Sequence, residues 1–235
     1  MIRVSIVLCC YNDGEFVRNA LASLYKQTFS RDLYEVVFID DGSVDGTAKA
    51  ASEYQSHANF RYFRNEGNLG LVRSCNRALD LARGDYIVRL DADDSFCPTL
   101  LEEMCPPLDR GDTDFVYCDR EEFLADGGEE RYVKVGDFDV FRLIAIGTMM
   151  RRQLMLEVGG YRNLFWEEYD LYLRYLQRSK KSPCYIPKPL IRYMIRPGAM
   201  TSDPAKVKAG WKEFRRLWPT EIVQPFGTMP EQAYV

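Results

Sequence analysis

Apolar and polar positions along the first hundred residues alternate between two periods. Val4 to Cys10 (VSIVLCC) is an unbroken apolar run rich in β-branched residues, the pattern of a strand buried on both faces. Tyr11-Asn12-Asp13-Gly14 breaks it, and Phe16, Val17, Ala20, Leu21 and Leu24 then recur at helical spacing. Tyr34 to Ile39 predicts a second strand that stops at Asp40-Asp41-Gly42-Ser43, and Asp45-Gly46-Thr47 opens an alanine-rich helix through about Tyr54. A short third strand is predicted at Phe60 to Phe63, a turn at Asn65 to Gly70, and a helix from there to about Ala82. Tyr86 to Leu90 predicts a further strand, which runs directly into Asp91-Ala92-Asp93-Asp94.

Repeated strand, polar turn and helix predict an α/β fold, a Rossmann-like, mostly parallel central sheet flanked by helices. In such sheets a ligand lies beyond the carboxyl ends of the strands. Three predicted strands end in polar or acidic turns, at Tyr11 to Asp13, Asp40-Asp41 and Asp91 to Asp94, so these turns are expected to meet on one edge.

The second half is less regular. Phe115 to Cys118 reads as a strand, Asp126-Gly127-Gly128 as a hairpin tip, and Arg152 to Val158 as a short helix ended by Gly159-Gly160. Glu167 to Gln177 reads as a helix with Leu171, Tyr175 and Leu176 inward, Pro183 to Met194 as extended, and Val207 to Leu217 as a final amphipathic helix. With no repeat, low-complexity tract or clear linker, one domain over residues 1–235 is expected.

Composition narrows the function classes. A hydrophobic share of 46% supplies a packed core, and a formal net charge of -4 argues against a general nucleic-acid binder. Seven cysteines without a C-x-x-C pair, beside one histidine (His57, expected in an exposed polar loop), argue against a zinc-type site and suit free thiols in a reducing cytoplasm. No run approaches the roughly 20 apolar residues that span a bilayer, and the first apolar run is too short for a signal peptide. A soluble or peripheral cytoplasmic protein is the expectation.

The chemistry concentrates at Asp91 to Asp94. In an extended segment residues i and i+2 share a side, so Asp91 and Asp93 address one ligand together. Carboxylates without histidine or cysteine suit a hard ion, Mg²⁺ or Mn²⁺, with coordination positions left for water and phosphate oxygens. Such an ion stabilises a departing diphosphate. The competing reading makes Asp94 or Ser95 the cap of a helix starting near Pro98.

The stretches VSIVLCCYND, VVFIDDGSVDGT, NEGNLGLVRSCNRALDLARGDYIVRLDADD, MMRRQLMLEVGGYR and FWEEYDLYLR, in that order, resemble the family 2 glycosyltransferases from about Val4 to Thr201. The resemblance implies a GT-A fold, with a nucleotide-binding half over about residues 1–95 and an acceptor-binding half over about 96–235. It also implies an inverting transfer from a nucleotide-sugar donor, UDP-sugars favoured, to a hydroxyl of a glycan or lipid-linked acceptor in polysaccharide, glycolipid or glycoprotein glycan synthesis. Carried onto matching positions, Tyr11 lies against the nucleotide base with the Cys9 backbone nearby, and Asp40 accepts from a base N–H. Arg73 approaches the diphosphate at a helix start. Asp93 binds the metal, and Asp91 supports the metal or the ribose. Glu168 falls at the general-base position of Glu167-Glu168-Tyr169-Asp170-Leu171, with Glu167 in reserve and Asp170 structural.

Three positions depart from the family. Cys9-Cys10 stands where proline or threonine is usual, Glu168 where aspartate is usual, and Arg196 where many relatives carry histidine. Arg196 does not ligate a cation as imidazole does, but it can neutralise diphosphate directly. A nucleotidyltransferase is the first alternative, disfavoured because Tyr11-Asn12-Asp13-Gly14 has one glycine and no following lysine. A non-catalytic module of the same fold is the second. The last helix sets Trp211, Phe214, Leu217 and Trp218 among Lys208, Lys212, Arg215 and Arg216. That stripe either packs on its own domain or a second subunit, or lies on a membrane surface.

Overall fold

Val4–Cys10 forms strand β1, with six of its seven residues buried, and it sits at the centre of a parallel group. The computed structural model describes residues 1–231. β1 pairs with β2 (Tyr34–Asp40) on one side and with β4 (Tyr86–Leu90) on the other, and β3 (Phe60–Arg64) lies outside β2. Between them run α1 (Val17–Leu24), α2 (Thr47–Ser52) and α3 (Leu71–Leu81). Side chains alternate across the sheet. Val4, Ile6 and Leu8 therefore join the core that holds Leu21, Leu24 and Ala51, while Val7 joins Cys75, Ala78 and Leu79 on the other face. Burial on both faces is why these strands read as continuous apolar runs.

The sheet continues through the second half. β5 (Ser95–Phe96), α4 (Leu100–Asp109), β6 (Phe115–Leu124), β7 (Arg131–Val133) and β8 (Thr148–Arg151) come first. They are followed by α5 (Arg152–Glu157), α6 (Glu167–Ser179), β9 (Cys184–Ile195), α7 (Pro204–Leu217) and α8 (Thr220–Val223). Strand order is β3-β2-β1-β4-β8-β6-β9-β5, with β7 paired to β6. β8 runs antiparallel to both neighbours and joins the parallel half to β6 and β9. The hairpin tip falls between β6 and β7, and Gly159 and Gly160 terminate α5 at φ of 82° and 64°. Leu171, Tyr175 and Leu176 of α6 are buried as expected.

Three expectations are corrected or narrowed. The helix near Pro98 starts at Leu100, and no side chain caps it. Ser95 instead opens β5 and pairs with Arg192, and Asp94 Oδ1 accepts from the Met194 backbone N–H at 2.8 Å. Asp94 thus ties the acidic turn to β9. His57 is only half-exposed, its ring stacked on Tyr25 at 4.2 Å. The apolar stripe of the last helix is turned inward. Trp211, Phe214 and Trp218 are buried, Trp211 lies 4.6 Å from Trp166 between ring centroids, and Trp218 Nε1 donates to Asp170 Oδ1 at 3.0 Å. Leu217 alone of that stripe stays exposed. Among the described residues no helix is long and apolar enough to cross a membrane.

Candidate active site

The turns after β1, β2 and β3 are fastened to one another by backbone and short polar side chains. Asn12 N–H donates to Ser43 Oγ at 3.0 Å, Val44 N–H to Asn12 Oδ1 at 2.9 Å, Asp13 N–H to Thr47 Oγ1 at 3.1 Å and Gly14 N–H to Asp45 Oδ2 at 2.9 Å. Gly14 is required there, since a Cβ would stand 2.6 Å from the Gly46 carbonyl carbon. Asp41 extends the lacing to the third turn, accepting from Leu69 N–H, Gly70 N–H and Asn65 Nδ2 at 2.9, 2.8 and 2.6 Å.

Beyond these turns opens a cavity of about 500 Å³. The strand-end acids Asp91, Asp93 and Asp94 line it, together with Glu167 and Glu168 on the first turn of α6 and the segment from Arg196 to Thr201. Cys9 and Asp13 line it as well. Of the residues singled out in the sequence, Cys9, Asp91, Asp93 and Glu168 therefore share one space. Tyr11 is exposed at the end of β1 and outside that lining. Arg73 is exposed on the first turn of α3, also outside it. Asp40 is fully buried: Oδ1 accepts from Ser43 N–H at 2.7 Å, and Oδ2 from Tyr62 Oη–H at 2.7 Å and Arg64 Nη1 at 2.9 Å. Both Asp40 oxygens are thus engaged within the protein, Oδ2 by two side chains.

Arg89 organises the cavity wall and was missed in the sequence. Its guanidinium is buried in β4, holds both oxygens of Asp91 at 2.6 and 3.0 Å, and donates through Nη1 to Glu167 Oε1 at 3.0 Å. The available signal was an arginine inside an otherwise apolar, fully buried strand, because a buried charge needs partners. No arginine or lysine pairs directly with Glu168 among the ion pairs of the described residues. Its Oε2 is buried without a hydrogen-bond partner among the described residues. Burial, reinforced by the negative charge of Glu167, pushes its carboxyl well above the ordinary value of 4.5. Asp170, also in the first turn of α6, is turned into the protein as expected: buried, it pairs with Arg174 at 2.7 Å and accepts from Trp218.

Arg196 crosses the opposite set of acids. Its Nε donates to Asp93 Oδ2 at 2.6 Å, its Nη2 to Asp13 Oδ1 at 3.3 Å, and the guanidinium lies 4.7 Å over the Phe16 ring. Asp13 was also not singled out in the sequence beyond its turn. Chemically, Asp13 and Asp93 are the oxygen donors that Mg²⁺ or Mn²⁺ takes. In number they suffice only with water and phosphate oxygens completing the shell, for among the described residues no group of three or more His, Cys, Asp or Glu is arranged to hold an ion. Both Asp91 oxygens accept from Arg89, so that carboxylate is already charge-paired.

Residues 5–182 match the sequence model of the glycosyl transferase family 2. A cholesterol galactosyltransferase of Borreliella burgdorferi is 31% identical over 114 residues, 48% of this chain and 31% of that protein. The chain spans between 31% and 65% of the length of the curated relatives it matches. Among solved structures, Staphylococcus aureus TarS residues 1–349 with UDP-GlcNAc superposes at a TM-score of 0.77 and 19% identity, over 92% of this chain and 66% of that one. The Pyrobaculum calidifontis mannosyltransferase PcManGT with GDP-Man and Mn²⁺ gives 0.75 and 17%, over 98% and 66%. These two likenesses establish the GT-A fold.

Proposed function

The chain belongs to glycosyl transferase family 2, and from that premise we propose that it moves a sugar from a nucleoside-diphosphate donor to an acceptor hydroxyl by one inverting displacement, with Glu168 as general base. The observation that carries this reading is the unpartnered Glu168 Oε2, buried in the wall of the cavity that also holds Asp91, Asp93 and Arg196. The acceptor oxygen attacks the anomeric carbon while its proton passes to the Glu168 carboxylate. The bond to the phosphate oxygen breaks, and its electron pair leaves with the nucleoside diphosphate. Arg89 supports this division of labour: it neutralises Glu167 and leaves Glu168 as the carboxylate with basicity to spend.

The diphosphate is assigned to the side of Asp93 and Arg196. Mn²⁺ or Mg²⁺ held by Asp93, with Asp91 behind it, would supply positive charge to the leaving group. Tyr11, exposed where β1 ends, is the platform for the base beside the Cys9 backbone. Asp40 and Arg73 are assigned to the base and the diphosphate on resemblance alone. UDP-sugars are the favoured donors, and the GDP-Man carried by PcManGT makes a guanine nucleotide the natural competitor in the test. The acceptor half is assigned to residues 96–235, with a glycan or lipid-linked hydroxyl as acceptor. Free cysteines throughout suit a reducing compartment, and the cytoplasm is proposed.

A thermal-shift panel of UDP-, GDP- and dTDP-sugars with and without Mn²⁺ tests the reading. One donor class is expected to raise the melting temperature in a metal-dependent way, and that donor is expected to be hydrolysed slowly without acceptor. Metal-dependent donor binding at wild-type strength in Asp93→Ala would overturn the diphosphate assignment.

A further inference from the structure

We propose that Arg196 is the internal occupant of the cation position between Asp13 and Asp93, that a divalent ion displaces it, and that the displaced guanidinium then serves the donor diphosphate. The inference rests on the glycosyl-transfer reading above. Three distant parts of the chain build this position: the turn after β1 supplies Asp13 and Phe16, the turn after β4 supplies Asp93, and the residue following β9 is Arg196. Two carboxylates brought together in a cavity wall repel unless a cation lies between them. The planar fork of arginine serves both, at 2.6 and 3.3 Å, and its flat face rests on Phe16.

An ion that takes both carboxylates has to break these two contacts. Arg196 is the first residue past β9, where the backbone is no longer part of the sheet ladder. It lines the cavity that a donor must enter, where a diphosphate offers the paired oxygens that its fork matches. Metal alone therefore meets an ion pair that it must displace, whereas metal arriving with a nucleoside diphosphate leaves Arg196 a new partner. The two ligands are coupled positively, each raising the affinity of the other.

The test measures Mn²⁺ binding, by calorimetry or by electron paramagnetic resonance, to the wild type, Arg196→Gln, Arg196→Lys and Asp93→Asn. UDP and GDP are then titrated at saturating Mn²⁺. Loss of a charge-assisted contact on this scale is worth about a factor of ten. Arg196→Gln is expected to bind Mn²⁺ alone about tenfold more tightly, and the nucleoside diphosphate about tenfold less tightly. Arg196→Lys, which keeps the charge and guards against a folding defect in the glutamine variant, is expected to lie between. This opposition of sign is what a structural role for Arg196 does not produce. Unchanged Mn²⁺ affinity in Arg196→Gln, with Asp93→Asn still weakened, overturns the exchange and leaves the glycosyl-transfer reading standing. Unchanged UDP and GDP affinity in Arg196→Gln overturns the diphosphate role. Absence of Mn²⁺ binding in every protein, even with UDP or GDP present, overturns both the exchange and the metal part of that reading.

Discussion

Arg89 Nη1 donates to Glu167 Oε1 at 3.0 Å, and this contact separates two adjacent glutamates on one helical turn. Glu167 is neutralised from β4, whereas Glu168 is buried beside it with an oxygen that no described residue meets. Neighbouring carboxyls in different surroundings are the usual way a fold assigns different protonation roles to like groups. The same guanidinium also holds Asp91, so one buried arginine links the acidic turn of β4 to the first turn of α6.

Glu168→Gln is expected to lower transfer by about 10² to 10⁴ while leaving donor binding intact, which steady-state kinetics and calorimetry separate. Glu168→Asp should retain measurable activity, because the carboxylate is kept and merely withdrawn by a methylene. In the wild type the base works only when ionised, so kcat/KM should fall as pH drops through a midpoint above the ordinary 4.5. Stability has the opposite sign. Below 4.5 folded and unfolded chains both hold the proton. As pH rises the unfolded glutamate ionises first, so the folded state binds more protons and loses stability until its own raised pKa is passed. Glu168→Gln should therefore melt higher than the wild type, and the gap should widen with rising pH from about 4.5. A gap that is flat or reversed would sink the assignment.

Arg89→Met removes the partner of two carboxylates in one step. Breaking a buried pair in this way costs about 3–5 kcal/mol, and urea denaturation should register it as a lower midpoint. Adding Glu167→Gln to that background should restore part of the loss, since the neutral amide no longer carries an unpaired buried charge. Full additivity of the two substitutions would mean that the residues act independently, contrary to their 3.0 Å contact.

The parallel half was legible because strands such as Val4–Cys10 and Tyr34–Asp40 are buried on both faces and end in polar turns that punctuate the chain. Convergence of those turns followed from the topology rule, and Cys9, Asp91, Asp93 and Glu168 do share a cavity. What escaped was set by long-range pairing. β5 is two residues long and exists through its pairing with β9, so it gives no periodic signal. Asp93 and Arg196 meet across a separation of 103 residues, and spacing along the chain carries no trace of that contact. The competing readings of the last helix differ only in what covers its apolar stripe, a tertiary fact.

Tyr11 and Asp40 should part company under mutation. Tyr11 is exposed, so Tyr11→Ala should leave the melting temperature unchanged and weaken UDP or GDP binding, a stacked base being worth about 1–3 kcal/mol. Asp40 is wholly buried and accepts from Ser43, Tyr62 and Arg64, so Asp40→Asn should destabilise by about 1–3 kcal/mol. Thermal unfolding beside nucleotide titration distinguishes the two patterns. Unchanged stability in Asp40→Asn, together with a selective loss of one nucleotide, would restore Asp40 to direct base recognition.

Trp211 gives the sharpest test of how the last helix is used. Its ring lies against Trp166, Tyr169, Phe141 and Phe214, and Tyr169 also lines the cavity next to Glu168. Truncation of a buried tryptophan costs about 3–5 kcal/mol, so Trp211→Ala should lower the urea midpoint substantially. The loss should extend to transfer, because Tyr169 and the first turn of α6 lose their backing. A helix whose stripe lies on a lipid surface predicts the reverse: little change in stability, and reduced sedimentation with anionic vesicles. Since Trp211, Phe214 and Trp218 are already covered by the protein, Trp211→Ala should not weaken vesicle binding, and a weakening at constant stability would show the stripe to be a lipid contact.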